Sequence, residues 1–299
     1  MENLPETLYI DPTDECPTAG AESVERARID RFIQLLYEPL LIEEALSLLN
    51  KERLRSNDIA LVLWNSKDVP FILLQEISKA YTLLSPPTLI SMKEATRVCN
   101  ALALIQAMAS HPDTKIQMVR AQLPVYIYPF LNTCEKGIKQ LDYLRLTSLG
   151  VMGALVKVDD ANSPEIIHFL LETEVVPLCL RCIEMGGELA KTVSVIVISK
   201  ILLYEEGQRY CGTFPERFYV ISHALANIVN QFHGKPSLQL LKHILTCFLI
   251  LSEVSRASDA LTKCYPARLR DSVYLNFVCG NVSVRRLADQ VLQNLTDHR

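Results

Sequence analysis

The feature that most constrains the fold of this sequence is a repeat of four strongly apolar segments, each long enough for a helix. They occupy residues 98–110, 143–157, 192–204 and 241–252. Their last residues are 47, 47 and 48 positions apart. A fixed period of about 40 to 47 residues is typical of armadillo and HEAT arrays, whereas tetratricopeptide and ankyrin repeats are shorter. The period therefore predicts a stack of helical repeats.

The stretches between these segments also follow one plan. Each begins with a polar turn, continues through a short helical stretch and reaches an apolar residue followed by proline. These steps are Leu123-Pro124, Val176-Pro177, Phe214-Pro215 and Tyr265-Pro266. The residue before a proline disfavours the helical conformation, so each step should end one helix and begin the next. Three helices per repeat, with the third buried between neighbours, predict an all-α armadillo-repeat fold, a right-handed α-solenoid of about six repeats.

The first residues differ in composition from the rest of the chain. Residues 1–21 carry five acidic residues and three prolines, with neither a basic start nor an apolar run. We predict a disordered N-terminal tail at residues 1–21 and a single armadillo-repeat domain at residues 22–299, whose first repeat is degenerate. Farther along, Ser91 followed by Glu94 forms a capping-box pattern. This pattern predicts the start of the long helix that ends near Ser110.

The net charge, the cysteines and the length of the apolar runs bear on the partners and the cellular location of the protein. The formal net charge is -4, so the charge of the whole chain does not predict nucleic-acid binding. The nine cysteines are scattered through mostly apolar stretches, which is typical of reduced thiols in a cytosolic or nuclear protein. Uncharged apolar runs end after roughly a dozen residues, short of the ~18 that a membrane span requires. We expect a cytoplasmic protein, with the nucleus as a second location and no membrane segment.

Two pairs of residues resemble parts of a metal or redox site. Cys179 and Cys182 form a C-x-x-C pair, and His243 and Cys247 share one helix face, but neither pair has further ligands at a suitable spacing. Buried thiols are the simpler interpretation. The sequence has no G-x-S-x-G elbow, phosphate-binding glycine loop or H-E-x-x-H helix. We therefore predict a protein that is not an enzyme and that uses no metal or cofactor.

Polar residues that interrupt the long apolar helices are candidates for binding. In an armadillo stack the third helices line a concave groove, so such residues could face a ligand. The other interpretation is a solvated or helix-capping role. Gly150 and Gly153 favour a close approach, either of a ligand or of a neighbouring repeat. The basic residues among these polar residues predict a nucleic-acid groove. They are Arg97, Arg145, Lys191, Lys242 and His243.

Several long ungapped strings carry a family resemblance. They include RVCNALAL at residues 97–104, ASHP at 109–112, YPFL at 128–131, YLRLTSLGV at 143–151, GALVK at 153–157 and LLKH at 240–243. Over about residues 25–295 the chain resembles the "required for cell differentiation" family, the Rcd/Caf-type armadillo subunit of the CCR-NOT mRNA deadenylase complex. Only the N-terminal tail falls outside the resemblance.

This resemblance implies an adaptor in mRNA decay and translational repression. Such a subunit binds the NOT scaffold subunit, recruits short peptide motifs of RNA-associated repressors and forms a homodimer. By position, the resemblance also implies three surfaces on this chain. They are a peptide groove at Tyr143, Gly150 and Val193, a tryptophan-accepting surface at Phe214, Arg217, Arg256 and Ala260, and a scaffold-docking surface at Asn65, Lys67, Phe71 and Ser78.

The chain departs from the family pattern in two of its surfaces. Where the family usually reads Trp-His-Ser-Phe-Gly, residues 64–68 read WNSKD, and Phe71 replaces a small residue. The basic run of the last groove helix is thinned to residues such as Gln239, Thr246 and Ile250, which predicts weak nucleic-acid binding. We interpret the chain as a divergent paralogue. The alternative is a free-standing armadillo protein that binds single-stranded nucleic acid or acts in transcriptional regulation.

Overall fold

The computed structural model describes residues 19–56, 58–86, 90–232, 234, 237–253, 258–278 and 282–297. Within these ranges the only regular elements are α-helices and short 3-10 turns. They form two compact units, residues 1–127 and 128–299. Residues 1–18 of the predicted tail lie outside the described residues, and the first helix begins at Ala19. No described helix is both long enough and apolar enough to cross a membrane.

The first unit is built around one long helix that other helices surround. This helix, α5, begins with the predicted capping box: the Glu94 N–H donates to Ser91 Oγ at 3.2 Å, and the Ser91 N–H donates to Glu94 Oε2 at 2.8 Å. Helices α2, α3, α4 and α6 pack against it, which explains why its sequence is apolar on most faces. The helices are α1 (Ala19–Leu36), α2 (Ile42–Glu52), α3 (Ile59–Asn65), α4 (Val69–Ser78), α5 (Met92–Ser110) and α6 (Pro112–Arg120), followed by a 3-10 turn at Leu123–Ile127.

The second unit continues the same pattern. Its helices are α7 (Tyr128–Leu131), α8 (Lys139–Lys157), α9 (Ser163–Glu172), α10 (Val175–Met185), α11 (Glu188–Leu202), α12 (Glu205–Thr213), α13 (Pro215–Asn230), α14 (Leu238–Glu253), α15 (Ser258–Cys264), α16 (Ser272–Val278) and α17 (Val282–Asp297). Helix α11 packs between α8 and α14, and α17 covers the far side of α14. Within this unit the long apolar helices α8, α11 and α14 therefore stack directly on one another, as the repeat period predicts.

The predicted C-terminal ends of the four long helices hold to within two residues, whereas the helices begin three to six residues before the apolar segments do. The four long helices end at Ser110, Lys157, Leu202 and Glu253. Two of the proline steps lie in the first turn of a helix, at Pro177 and Pro215, where proline is tolerated because the first N–H groups of a helix have no intrahelical partner. The other two differ from the prediction, since the turns at Leu123–Ile127 and Ala267–Arg270 are 3-10 rather than α-helical.

Candidate binding surfaces

The predicted peptide groove occupies neighbouring helices of the second unit. Tyr143 and Gly150 lie seven residues apart on α8, so they share one face of that helix. Tyr143 is 43% exposed, whereas Gly150 is buried. Val193 lies half-buried on α11, and a Cβ atom placed on Gly153 would lie 3.7 Å from Val193 Cγ1. Helices α8 and α11 therefore pack against each other at Gly153 and Val193, while the Tyr143 ring is partly exposed. We call Tyr143, Gly150, Gly153 and Val193 the groove face.

Arg145 does not lie on the groove face. Its side chain is 0% exposed, and its guanidinium donates from Nε to Thr133 Oγ1 at 2.8 Å and from Nη1 to Asp142 Oδ1 at 2.8 Å. A third hydrogen bond runs from Nη2 to the backbone oxygen of Glu135. Buried charges are stable only when they are paired and hydrogen-bonded, and Arg145 meets both conditions. In this arrangement Arg145 holds the segment before α8 in place and is not accessible to a nucleic acid.

Two further predicted cations are engaged in ion pairs. Arg97 Nη2 lies 2.6 Å from Oε2 of Glu76, a carboxylate whose side chain is 0% exposed and that also accepts from Lys79. Lys191 Nζ lies 2.9 Å from Glu188 Oε1, and the Lys191 side chain is mostly buried. The positive charge that these two residues present to a polyanion is therefore already balanced by carboxylates.

Lys242 and His243 lie in the second turn of α14 and differ in how accessible their charges are. Lys242 is exposed and makes no ion pair with any described residue. His243 Nδ1 lies 3.2 Å from Ser199 Oγ on α11. Burial lowers the pKa of His243, and the nearby charges of Lys242 and Lys200 lower it further. The imidazole is therefore neutral near pH 7 and adds no charge to this face.

The predicted scaffold-docking residues lie together in the first unit. Asn65 and Lys67 are exposed at the corner between α3 and α4, and Phe71, in the first turn of α4, is 76% exposed. Ser78 follows seven residues later on the same face of α4. A cavity of about 310 Å³ runs along this face, and its lining includes Phe71, Ser78 and Tyr126. We call Asn65, Lys67, Phe71, Ser78 and Tyr126 the docking face.

Tyr126 is a member of this face that sequence reasoning missed. Its ring is 49% exposed and comes from the 3-10 turn at Leu123–Ile127, which packs on α4. The only signal in the sequence is an aromatic residue two positions after the Leu123-Pro124 step. Tyr37, which directly follows α1, supports this face. Its hydroxyl donates to the backbone oxygen of Lys67 and so connects the end of α1 to the corner between α3 and α4.

Three of the four residues of the predicted tryptophan-accepting surface lie within the described ranges. The Arg217 guanidinium carbon lies 3.8 Å from the centroid of the Tyr210 ring and 4.9 Å from that of Phe214, and Arg217 Nη2 is 3.4 Å from Glu174 Oε1. Phe214 is 51% exposed. A cavity of about 330 Å³ beside them is lined by Val176, Pro177, Leu180, Tyr210, Arg217 and Val220.

The structure therefore brings Phe214 and Arg217 together and adds Tyr210, which the sequence did not single out. Tyr210 donates its hydroxyl to Glu174 Oε2 at 2.9 Å, so one carboxylate orients both the phenol and the guanidinium. Burial, reinforced by the Glu174 carboxylate, raises the pKa of Tyr210. Of the remaining predicted residues, Arg256 lies outside the described residues, and Ala260 belongs to α15.

The cysteines of the described chain are free thiols, and most are buried. Cys179 and Cys182 are both buried on α10. Burial raises the pKa of the Cys179 thiol well above its usual value, and it raises the pKa of the Cys182 thiol to about 12. Burial likewise raises the pKa of Cys247 to about 12. Among the residues that the structure describes, no group of three His, Cys, Asp or Glu side chains is placed to hold a metal ion. Cys134 differs, since it is exposed and accepts a contact of 3.0 Å from Arg181 Nη1.

This difference predicts selective alkylation. Iodoacetamide at pH 8 should label Cys134 in the native protein and leave Cys179, Cys182 and Cys247 unmodified. A thiol with a pKa of about 12 is ionised in roughly one molecule in ten thousand at pH 8, and it is also inaccessible. Peptide mass spectrometry after a timed reaction gives the labelled fractions. Labelling of all four thiols in denaturant is the control, and native labelling of Cys182 as fast as Cys134 would contradict the buried placement.

The fold and these surfaces define a class of protein: an armadillo-repeat protein with exposed apolar and aromatic faces. The backbone matches a designed armadillo repeat protein, YIII(Dq)4CqI, with a TM-score of 0.58 and 16% identity, covering 89% of this chain and 99% of that one. A second design, YIII(Dq.V1)4CPAF in complex with the peptide (KR)4, gives a TM-score of 0.57 and 15% identity over the same shares of the two chains. The predicted all-α armadillo class is confirmed.

Sequence comparison identifies the family. Residues 32–295 match the family described as "Rcd1: Cell differentiation family, Rcd1-like", and the chain belongs to this family. It is 45% identical over 275 residues to the cell differentiation protein rcd1 of Schizosaccharomyces pombe, covering 87% of this chain and 95% of that protein. It is 42% identical over 265 residues to Protein CAF40 of Saccharomyces cerevisiae, covering 88% of this chain and 69% of that protein. The resemblance predicted from the sequence strings is confirmed.

Proposed function

We propose that this chain is a non-catalytic adaptor subunit of the CCR-NOT mRNA deadenylase complex. In this role it binds the NOT scaffold subunit through the docking face and recruits repressors by short peptide motifs. The observation that carries the proposal is Phe71, an aromatic side chain that is 76% exposed beside an apolar cavity in a confirmed member of the family. Large aromatic residues on a surface are typical anchors of protein interfaces.

Two further surfaces support recruitment of peptides. The groove face presents the Tyr143 ring, which is 43% exposed on α8 and is an amphipathic side chain suited to contact with a peptide. The surface around Arg217 presents a guanidinium stacked on two aromatic rings next to a cavity of about 330 Å³. An indole could enter the cavity and contact both the apolar lining and the guanidinium edge. The chain acts in the cytoplasm in this proposal, and its homodimer remains a prediction from the resemblance.

The alternative, a nucleic-acid groove, has less support from the side chains. Of the five predicted basic residues, Arg145 is buried, Arg97 and Lys191 are paired with carboxylates, and His243 is neutral. Lys242 alone of the five is both exposed and charged without an ion-pair partner among the described residues. Since affinity for nucleic acid grows with the number of phosphates neutralised, we expect weak binding with a shallow salt dependence. A gel shift of single-stranded RNA across a salt series measures this slope.

Affinity purification tests the proposed function. The full chain carrying a tag at its N-terminus should recover the NOT scaffold from cell extract in mild salt, together with the deadenylase. The same purification with the docking face disrupted serves as the control. Repeated absence of the scaffold with the unaltered chain, in the presence of other bound proteins, would contradict the adaptor assignment and favour a free-standing role.

A further inference from the structure

A small polar cavity in the first unit lies apart from the surfaces described above. It has a volume of about 240 Å³ and lies where the turn between α2 and α3 meets the end of α5 and the start of α6. Its lining includes Arg53, Ser56, Ile59, Ala107, Ser110 and His111. None of the polar groups in this lining is a carboxylate.

Arg53 provides the charge of this cavity. Its Nε donates to Asn50 Oδ1 at 2.9 Å, and Asn50 Nδ2 donates to Asn100 Oδ1 on α5 at 3.1 Å. This chain of hydrogen bonds fixes the plane of the guanidinium. The two Nη atoms of Arg53 have no partner among the described residues, and no carboxylate pairs with the group. Burial lowers the pKa of Arg53, because its charge is partly withdrawn from water without an opposite charge nearby.

Arg53 differs in this respect from three other half-buried or buried arginines of the chain. Arg28 donates to Glu52, Arg97 pairs with Glu76 and Arg145 donates to Asp142. A half-buried cation without an opposite charge lowers stability. Such unfavourable arrangements are often found at binding sites, where a ligand supplies the missing charge. Arg53 is therefore preorganised for a negatively charged group that comes from outside the chain.

Two other donors line the same cavity. Ser56 is 8% exposed, and its hydroxyl has no hydrogen-bond partner among the described residues. His111 Nδ1 accepts from the backbone N–H of Asp113 at 3.2 Å, which leaves the ring proton on Nε2 as a donor. The Ser110 hydroxyl is not available, because it donates to the backbone oxygen of Gln106 at 2.9 Å. A cavity with three free donor groups and no carboxylate among its lining residues suits an oxyanion.

We propose that this cavity binds a carboxylate of a partner protein, held by the two Nη atoms of Arg53, with Ser56 and His111 as further donors. The two coplanar Nη groups match the two oxygens of a carboxylate. One guanidinium also balances the single charge of a carboxylate, whereas a phosphate ester would bring nearly two negative charges to one cation. A nucleic-acid backbone would need several cations along its path, and this cavity offers one. The site does not depend on the docking face or on the identity of the scaffold.

Titration of the full-length chain with blocked tripeptides tests the proposal. The probes are acetyl-Gly-Glu-Gly-amide, its Gln counterpart, acetyl-Gly-Gly-Gly with a free C-terminus, and acetyl-Gly-phosphoserine-Gly-amide, all at one ionic strength. Heteronuclear NMR should show saturable shifts at the Arg53 Nε–H and the Ser56 amide with a carboxylate probe and none with the Gln peptide. The Glu peptide and the free C-terminus distinguish a side-chain carboxylate from a chain terminus. Tighter binding of the phosphoserine peptide than of either carboxylate would overturn the proposal, as would no saturable shift with any of them.

Variants separate a binding role from a structural one. Arg53→Met should weaken the carboxylate probe by about tenfold or more, and Ser56→Ala by a few-fold, because the charged hydrogen bonds contribute most. Since the Nη atoms of Arg53 have no partner among the described residues and its Nε donates only to Asn50 Oδ1, Arg53→Met should unfold at nearly the same temperature as the parent. A large fall in Tm with Arg53→Met, together with unchanged probe binding in Ser56→Ala, would show that Arg53 braces α2 through Asn50 and would overturn the site.

Discussion

Replacing Phe71 with Asp is expected to weaken binding of the scaffold's helical docking fragment by about 30-fold or more, the factor that loss of an interface hot spot of roughly 2 kcal/mol produces. Phe71 is 76% exposed, so the substitution removes apolar contact area and places a charge on the docking face without opening the core. Isothermal titration of the purified chain with the fragment measures the change in Kd. Circular dichroism and Tm should match those of the parent.

The chain offers a matched control for this substitution. Phe277, on α16 of the second unit, is 58% exposed and lies outside the docking face. Phe277→Asp therefore changes the same side chain to the same charge at a different place, and the Kd for the fragment should stay within about twofold. Equal losses in the two variants would point to non-specific adhesion of exposed rings and would contradict the docking face.

The departures from the family pattern give a test in the opposite direction. Asn65→His with Lys67→Phe restores the residues that the family usually carries at the corner between α3 and α4. Because Lys67 is exposed and charged beside Phe71, its replacement by an aromatic residue should enlarge the apolar docking face and raise affinity for the scaffold fragment. The same titration measures it. An unchanged Kd in this double variant would show that these two positions do not contact the scaffold.

The fold could be predicted because the long helices are buried on most sides. Burial between neighbouring repeats demands apolar residues along the whole helix, and that demand recurs at each repeat, so the period is visible in one sequence. The start of α5 could also be predicted, since Ser91 and Glu94 act through hydrogen bonds within four residues. The 3-10 form of the Leu123–Ile127 turn could not, because a proline step is compatible with either kind of helix.

The binding surfaces could be predicted less well, because side-chain burial depends on distant residues. Arg97 was expected in a groove, but its partner Glu76 lies on another helix, 21 positions earlier in the chain. Tyr210 was missed because its contact with Arg217 depends on how α12 packs beside α13. One local signal was present for Arg145: Asp142 precedes it by three residues, the spacing at which side chains on a helix meet.

The placement of Arg145 predicts a large effect on stability. Arg145→Met should lower the free energy of unfolding by roughly 3 kcal/mol, the lower end of what loss of one partner in a buried ion pair costs. Methionine fills much of the volume, but the buried Thr133 Oγ1 and the backbone oxygen of Glu135 lose their donor. Asp142 loses its ion-pair partner as well, although its side chain is 37% exposed to solvent. Urea denaturation followed by circular dichroism measures the loss.

Lys242→Met, which removes an exposed cation of the same predicted groove, should change stability by less than about 0.5 kcal/mol. Unchanged stability of Arg145→Met combined with loss of RNA binding would instead place Arg145 on an accessible surface.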